Sequence, residues 1–99
     1  MEKKITIKEE RLLNALTGTH YDLRLSRESA AAIVGNDREA REVIHDLRLK
    51  GYAICSDSRI GGYYLAMNEA EIVPFISDIE SRIKELYAVK KAVKKGVLA

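Results

Sequence analysis

The sequence predicts an α+β fold in which three short helices and a β-hairpin are followed by one long C-terminal helix. Two helical segments, over residues 27–34 and 37–50, are joined by a few residues that include Gly35, which is the spacing of a helix-turn-helix. Two short strands with a glycine-containing turn between them follow directly. A helix-turn-helix with such a hairpin is the layout of a winged helix. We therefore predict a winged helix-turn-helix domain over residues 1–68 and a separate C-terminal helix over residues 69–99.

The first helix is predicted over residues 7–16. Thr6 and Glu9 have the spacing of a capping box, in which each side chain accepts a hydrogen bond from the backbone of the other residue. Gly18 is the expected stop of this helix. Residues 20–25 alternate weakly between polar and apolar, which fits either a short strand or an extended connector.

The second and third helices carry cap residues at their starts. Ser26 is predicted to cap the second helix, and either Asn36 or Asp37 to cap the third. Gly35 suits the positive φ that follows a helix end. Because the start of a helix attracts anions, Ser26 and Arg27 are predicted to hold a phosphate group.

The third helix has an apolar face and a charged face. At about 100° per residue, one face collects the predicted core residues Ala40, Val43, Ile44 and Leu47. The opposite face carries Arg38, Arg41 and His45, with Arg48 at its flank. Since arginine donates a fork of hydrogen bonds to guanine and also binds phosphate, these four residues are predicted to contact DNA. The alternative is an ordinary solvated helix face, which is usually charged as well.

The hairpin is predicted from strands over residues 52–56 and 62–67. Arg59 is the only cation in the turn between them. Arginine is well suited to the narrow, negatively charged minor groove, so Arg59 is predicted to enter it. The alternative is a turn charge that only favours solubility, and the sequence leaves both interpretations open.

Side chains of the second strand should alternate between two faces. Pairing with Ile54 places Tyr63 and Leu65 towards the core. Tyr64 is then expected to be exposed, where its hydroxyl could bind a DNA phosphate or the residue could simply favour the strand.

Two segments carry a resemblance to a known family: Ile44-x-x-Leu47-Arg48-x-Lys50-Gly51-Tyr52 and Gly61-Gly62-Tyr63-Tyr64-Leu65. They are similar to the winged helix of biotin-repressor-type regulators, and the resemblance covers about residues 7–67. It implies DNA recognition by the third helix and the hairpin. The biotin-repressor family carries a ligand-binding or catalytic domain after the hairpin, where this sequence has a long helix. In that respect the chain also resembles small phage-encoded winged-helix proteins.

The long helix has a heptad seam. Apolar residues and one lysine follow a 4-3 spacing at Ile72, Ile76, Ile79, Ile83, Leu86, Lys90 and Val93. A helix of about 25 residues is about 38 Å long, so part of it should project beyond the small domain. A projecting apolar stripe needs a partner, and the apolar seam residues are predicted to form a homodimer. The alternative is a helix folded back over its own domain. Pro74 either kinks this helix or lies near a later start at Val73.

Composition sets limits on function. The net charge is +2, from 17 Lys and Arg against 15 Asp and Glu, which supports nucleic-acid binding only weakly. The sequence has no apolar run long enough to span a membrane and no apolar core of a signal peptide. Cys55 is the only cysteine and has no internal disulfide partner. A cytoplasmic protein is therefore expected.

The sequence shows no constellation for catalysis or for a cofactor. His20, His45 and Cys55 are not clustered as zinc ligands, and there is no glycine-rich phosphate loop. Neither an enzyme nor a metal or other cofactor is expected. The predicted partner is double-stranded DNA, bound by a homodimer that acts in transcription regulation or replication. The alternative, motivated by the balanced charge, is a winged helix used for protein–protein interaction or assembly.

Overall fold

The computed structural model describes residues 4–98; residues 1–3 and 99, which the predicted domain ranges included, lie outside the described part. It confirms the predicted α+β layout. The elements are α1 (Ile7–Leu16), α2 (Arg27–Val34), α3 (Asp37–Leu49), β1 (Ile54–Ser56), β2 (Tyr63–Leu65) and α4 (Glu69–Leu98). Helices α1 to α3 pack together, the two strands form an antiparallel hairpin, and α4 follows it.

Helix α1 begins with the predicted capping box. The Thr6 hydroxyl accepts a hydrogen bond from the Glu9 backbone N–H at 3.1 Å, and the Glu9 carboxylate accepts one from the Thr6 N–H at 2.8 Å. Two backbone N–H groups that lack a partner within the helix are thereby satisfied. The capping box therefore fixes the first residue of α1.

The helix-turn-helix is set by two side-chain caps and one glycine. The Ser26 hydroxyl accepts from the Ser29 N–H at 3.1 Å, and the Asn36 side chain accepts from the Glu39 N–H at 2.8 Å. Asn36 is thus the cap of α3, which resolves the alternative with Asp37. Gly35 ends α2 with a φ of 134°, a conformation that L side chains rarely adopt.

Residues 20–25 form neither a regular strand nor a fully extended connector. The chain turns at Tyr21 and Asp22, where the N–H of Leu23 donates to the carbonyl of His20 at 3.0 Å, and the connector is then tied to the hairpin. The N–H of Leu25 donates to the carbonyl of Tyr63 at 2.7 Å, and the N–H of Tyr63 donates to the carbonyl of Leu25 at 2.8 Å. These two hydrogen bonds form an isolated antiparallel bridge between Leu25 and Tyr63, the first residue of β2. In addition, the Thr19 hydroxyl accepts from the Leu65 N–H at 2.9 Å. The connector therefore fixes the hairpin against the three helices.

The two strands are shorter than predicted. Ile54 pairs with Leu65, and Ser56 pairs with Tyr63. The expected first strand loses its start because the N–H of Tyr52 donates to the carbonyl of Leu47 at 3.1 Å, at the end of α3. Backbone groups engaged in this way are not available to a β-ladder.

The turn between the strands is held by one carboxylate. The Asp57 side chain accepts from the N–H groups of Arg59 and Ile60, at 2.8 and 3.1 Å, and from the Tyr21 hydroxyl at 2.8 Å. These donors lower the pKa of Asp57, led by the backbone hydrogen bond from Arg59. The turn therefore presents the Arg59 side chain on an ordered backbone.

The core lies between α1, α2, α3 and the hairpin. Its buried residues are Leu12, Leu16, Ala30, Val34, Ala40, Ile44, Leu47, Ile54 and Tyr63. The predicted apolar face of α3 is confirmed, and Val43 packs at the margin of this core. The charged face of α3 consequently points away from the core.

The prediction that Tyr64 is exposed is wrong. Only 3% of its surface is accessible, and its hydroxyl donates to the Glu71 carbonyl at 3.0 Å. The ring of Tyr21 meets it edge-on at 5.8 Å. Because α4 packs against β1, the second face of the hairpin is covered as well as the first. Burial raises the pKa of Tyr64 to about 12 and keeps the hydroxyl away from a phosphate.

Helix α4 begins at Glu69, before Pro74, so the alternative of a later start near Val73 is wrong. The Asn68 side chain accepts from the Glu71 N–H at 3.1 Å and caps the start of this helix. A cap ahead of Pro74 starts the helix and leaves the proline in the helix interior.

The C-terminal part of α4 projects from the domain. All residues from 80 to 97 are exposed, whereas Ile72, Phe75 and Ile79 on the first turns are partly covered. The molecule accordingly measures 52 Å along its longest axis. The helix is therefore not folded back over its own domain, as the alternative proposed. None of the helices within residues 4–98 combines the length and apolar character of a membrane span.

Candidate nucleic-acid interface

The outward face of α3 presents a stripe of cationic and ionisable side chains. Arg38, Arg41 and His45 are all exposed, as predicted, and their spacing places them along one side of the helix. The Arg38 side chain is 88% accessible and that of Arg41 66%. These groups can reach a ligand that lies along α3.

Each arginine of this stripe has a carboxylate neighbour. Arg41 lies 2.8 Å from the Asp37 carboxylate, and Arg38 lies 3.5 Å from that of Glu42. Ion pairs this exposed stabilise a fold by only about 0–1 kcal/mol, because water and salt screen them. The arginines can therefore leave these carboxylates and form charge-assisted hydrogen bonds with a phosphate group.

Asp37 also connects the stripe to the start of α2. Its carboxylate binds Arg27 at 3.1 Å as well as Arg41. The Arg27 guanidinium is the first cause that lowers the pKa of Asp37, and Arg41 lowers it further. A bridging carboxylate holds the two guanidinium groups close together, although they belong to different helices.

A basic groove lies between the start of α2 and the hairpin turn. It has a volume of about 530 Å³, and Arg24, Arg27 and Arg59 line it together with Ser26. The carboxylates of Asp22 and Glu28 also line it, so the arginines are in excess by one charge. The Arg59 side chain is 88% accessible and only 4.0 Å from the Asp57 carboxylate. The groove therefore joins three of the predicted site residues, Ser26, Arg27 and Arg59.

Arg24 is the groove residue that sequence analysis missed. Its Nε donates to the Gly61 carbonyl at 3.1 Å, and another of its nitrogens donates to the Tyr21 carbonyl. The guanidinium also lies 4.9 Å from the centre of the Tyr21 ring. A weakly patterned connector gave no signal for this position, because its contacts come from the hairpin turn.

The opposite flank of the hairpin is more acidic. There, a cleft of about 380 Å³ separates the turn from α4, and Asp57 and Asp78 are among its lining residues. Carboxylates repel a phosphate backbone. The two flanks of the hairpin therefore differ in charge, and the flank towards α2 is the one suited to an anion.

Arg48 is partly buried where α3, β1 and α4 meet, and it does not belong to the exposed stripe. Its Nε donates to the Ile54 carbonyl at 2.7 Å, and a second nitrogen lies 3.4 Å from the Ser56 hydroxyl. The guanidinium stacks over the Phe75 ring at 4.6 Å. Burial lowers the pKa of Arg48. We assign it to the contact between α3, β1 and α4, because Arg48 extends from α3, its hydrogen-bond acceptors belong to β1 and its aromatic partner belongs to α4.

Of the predicted DNA-binding residues, the structure brings together Ser26, Arg27, Arg38, Arg41, His45 and Arg59 on the outer side of α2, α3 and the turn. It separates Arg48 and Tyr64 from them. Sequence periodicity could identify the exposed stripe. It could not show that Arg48 contacts both Ile54 of β1 and Phe75 of α4, or that the Tyr64 hydroxyl donates to a carbonyl of α4.

Some apolar side chains of the α4 seam are exposed and others are partly buried. Ile76, Ile83, Leu86 and Val93 are exposed, and Ile72 and Ile79 are partly covered.

No protein-family model, curated protein or solved structure matches the chain. The resemblance to biotin-repressor-type regulators therefore stays a prediction, and the structure itself is compatible with a winged-helix layout.

Proposed function

We propose that this protein binds double-stranded DNA in a sequence-specific manner as a small winged-helix homodimer. One observation carries the proposal. The exposed arginine stripe of α3 continues through the shared Asp37 carboxylate to Arg27, and from there across the basic groove to Arg59. A surface of this kind offers guanidinium groups to a groove and to the phosphates beside it.

The side chains would have different tasks. Arg38, Arg41 and His45 would contact base edges or backbone from the major groove. Ser26 and Arg27 would position a phosphate at the start of α2, and Arg59 would probe the neighbouring minor groove. Phosphate contacts fix the orientation of a protein on DNA, whereas base contacts specify the sequence.

The homodimer would form through α4. Its projecting part exposes Ile83, Leu86 and Val93, and within the described chain nothing covers this stripe. Two copies would present two α3 helices to half-sites related by a twofold axis. The biological role in this proposal is that of a transcriptional regulator or a replication-associated factor, of the biotin-repressor type or of the small phage-encoded kind.

A second candidate function is protein–protein interaction or assembly. The pairing of Arg38 with Glu42, and of Arg41 with Asp37, favours it, because a surface of mixed charge suits a protein partner. These carboxylates repel the phosphates of DNA, whereas a protein partner can place its own cations next to them.

The two functions are separated by selecting bound sequences from a random duplex pool. DNA binding predicts an enriched sequence motif, and Arg38→Ala or Arg41→Ala should weaken binding to that motif by about 1–3 kcal/mol if the arginine contacts a guanine. Arg82→Ala is the matched control, since Arg82 is an exposed arginine with an Asp78 partner on α4. Recovery of no enriched motif would contradict sequence-specific binding.

A further inference from the structure

Charge is segregated along α4. Residues 69–80 contain Glu69, Glu71, Asp78 and Glu80 and no lysine or arginine. Residues 82–95 contain Glu85 and the cations Arg82, Lys84, Lys90, Lys91, Lys94 and Lys95. The helix dipole favours acids and bases at opposite ends, but only within the first and last turns. Asp78, Glu80 and Lys90 lie well inside the helix, so the dipole does not account for them.

The acidic half carries an apolar groove on its open side. The groove has a volume of about 380 Å³ and is lined by Ile72, Val73 and Ile76, with Glu69 and Glu80 at its rims. A partner that binds this groove should pack apolar side chains on its apolar residues and place cations next to its glutamates.

The basic half of the same helix has the complementary properties. Tyr87, Val93 and Val97 are exposed, and lysines, among them Lys90 and Lys94, lie beside them. No element of the described chain covers this half. One copy cannot bring its own basic half to its own acidic half, because both are parts of one continuous helix.

We propose that two copies pair through α4 in the antiparallel direction, so that the lysine-rich half of each helix fills the acid-rimmed groove of the other. This inference rests on the homodimer of the proposed function and adds its direction. Along the 4-3 spacing, Ile76 of one copy then faces Val93 of the second copy, and Ile83 faces Leu86. Lys90 lies against Ile79 of the second copy, with its ammonium group next to Glu80.

The parallel direction has no comparable charge pairing. It would place Lys90 against Lys90 of the second copy within the seam, and the clustered lysines of both copies would lie side by side. Like charges across a helix pair are repulsive, and a lysine in a seam destabilises the pair. The charges of α4 therefore favour the antiparallel pair.

Antiparallel pairing has a consequence for the position of the domains. They would lie at opposite ends of the helix pair, with the two Glu69 residues about 45 Å apart along the axis. A parallel pair would hold both domains at the same end. The direction of the pair therefore determines how two α3 helices can meet one duplex.

Disulfide trapping tests the direction without DNA. In a Cys55→Ala background, one protein carries Ile76→Cys and another carries Val93→Cys. A disulfide needs Cα atoms within about 7 Å, and in the antiparallel pair two copies of the same variant hold their cysteines about 26 Å apart. We expect mixed disulfides when the two variants are combined and none with either alone. Disulfides within each single variant would show a parallel pair and overturn the inference.

A charge exchange gives a second readout. Lys90→Glu should raise the dimer dissociation constant about tenfold, because two symmetry-related attractions become repulsions. Adding Glu80→Lys should restore the original value, which a parallel pair cannot do since the two positions lie about 15 Å apart along the helix. Failure of this rescue, or light scattering that shows a monomer at about 100 μM, would overturn the antiparallel pair. Duplex binding, measured separately, would still stand or fall by itself.

Discussion

At the scale of single residues, the ion pair of Glu9 and Lys50 connects the start of α1 to the end of α3. The Lys50 ammonium lies 2.7 Å from both carboxylate oxygens of Glu9, and only 3% of the Glu9 side chain is accessible. Periodicity and capping rules predicted the bond from Glu9 to Thr6. They could not predict Lys50 as its partner, because the two residues are 41 positions apart and meet only when α1 packs on α3.

Lys50→Met should lower the free energy of unfolding by about 1.5–3 kcal/mol at pH 7, because it leaves a buried carboxylate without its charged hydrogen-bond donor. Lys8→Met is the matched control, since the ion pair of Lys8 with Glu39 is exposed and should contribute less than about 1 kcal/mol. Urea unfolding measures both. Equal losses in the two variants would contradict the structural role of Lys50.

The effect of Lys50 should depend on pH in a defined direction. The hydrogen bond from Lys50 is the first cause that lowers the pKa of Glu9 in the folded protein. A lowered carboxyl pKa stabilises the fold above the ordinary pKa of glutamate, and this stabilisation is lost as the pH falls through the folded-state pKa. The difference between wild type and Lys50→Met should therefore shrink between pH 7 and pH 3. A difference that stays constant over this range would contradict it.

At the scale of elements, local rules predicted the helices better than the contacts between elements. The bounds of α1 and α2 follow from Thr6, Ser26 and Gly35, which act within a few residues of each helix end. The positions of Arg48 and Tyr64 depend on contacts from other elements: β1 and α4 for Arg48, and Tyr21 and α4 for Tyr64. Hydrophobic periodicity describes one element at a time and does not say which element covers its other face.

The carboxylates on α3 give a prediction for that element. Glu42→Gln should strengthen duplex binding and make its dependence on salt steeper. In the wild type, Arg38 must leave the Glu42 carboxylate before it binds phosphate, whereas in the variant it is already without this ion pair. Asp78→Asn, which removes the corresponding partner of Arg82 on α4, is the control and should change neither quantity. Fluorescence anisotropy with a labelled duplex measures both. Weaker binding by Glu42→Gln would favour the protein-partner function.

At the scale of the whole molecule, the projecting half of α4 lies outside the core of the domain. The domain holds its core without residues 80–97, all of which are exposed. The apolar stripe on this part of the helix can therefore be changed without opening the core. A long C-terminal helix was predictable from sequence, although its 30 residues exceed the expected length of about 25. The direction in which it leaves the domain depends on the packing of Phe75 under Arg48.

Ile83→Asp combined with Leu86→Asp should produce a monomer with an intact domain. Both side chains are exposed in one copy, so the new charges would be buried without partners only in the dimer. Ser81→Asp combined with Lys84→Asp places the same groups on the other side of α4 and is the control. Light scattering gives the mass and circular dichroism the helix content. A dimer that survives the first pair of substitutions would exclude this seam as the interface.

The central claim is that the outer face of α3, the start of α2 and the hairpin turn bind double-stranded DNA. A salt titration of binding to a labelled random duplex tests it most directly, because every phosphate contact by an arginine releases counterions. If this surface binds DNA, we expect measurable binding at about 50 mM salt, with the logarithm of the association constant falling linearly with the logarithm of salt concentration. Absence of binding to any duplex at about 50 mM salt would contradict it.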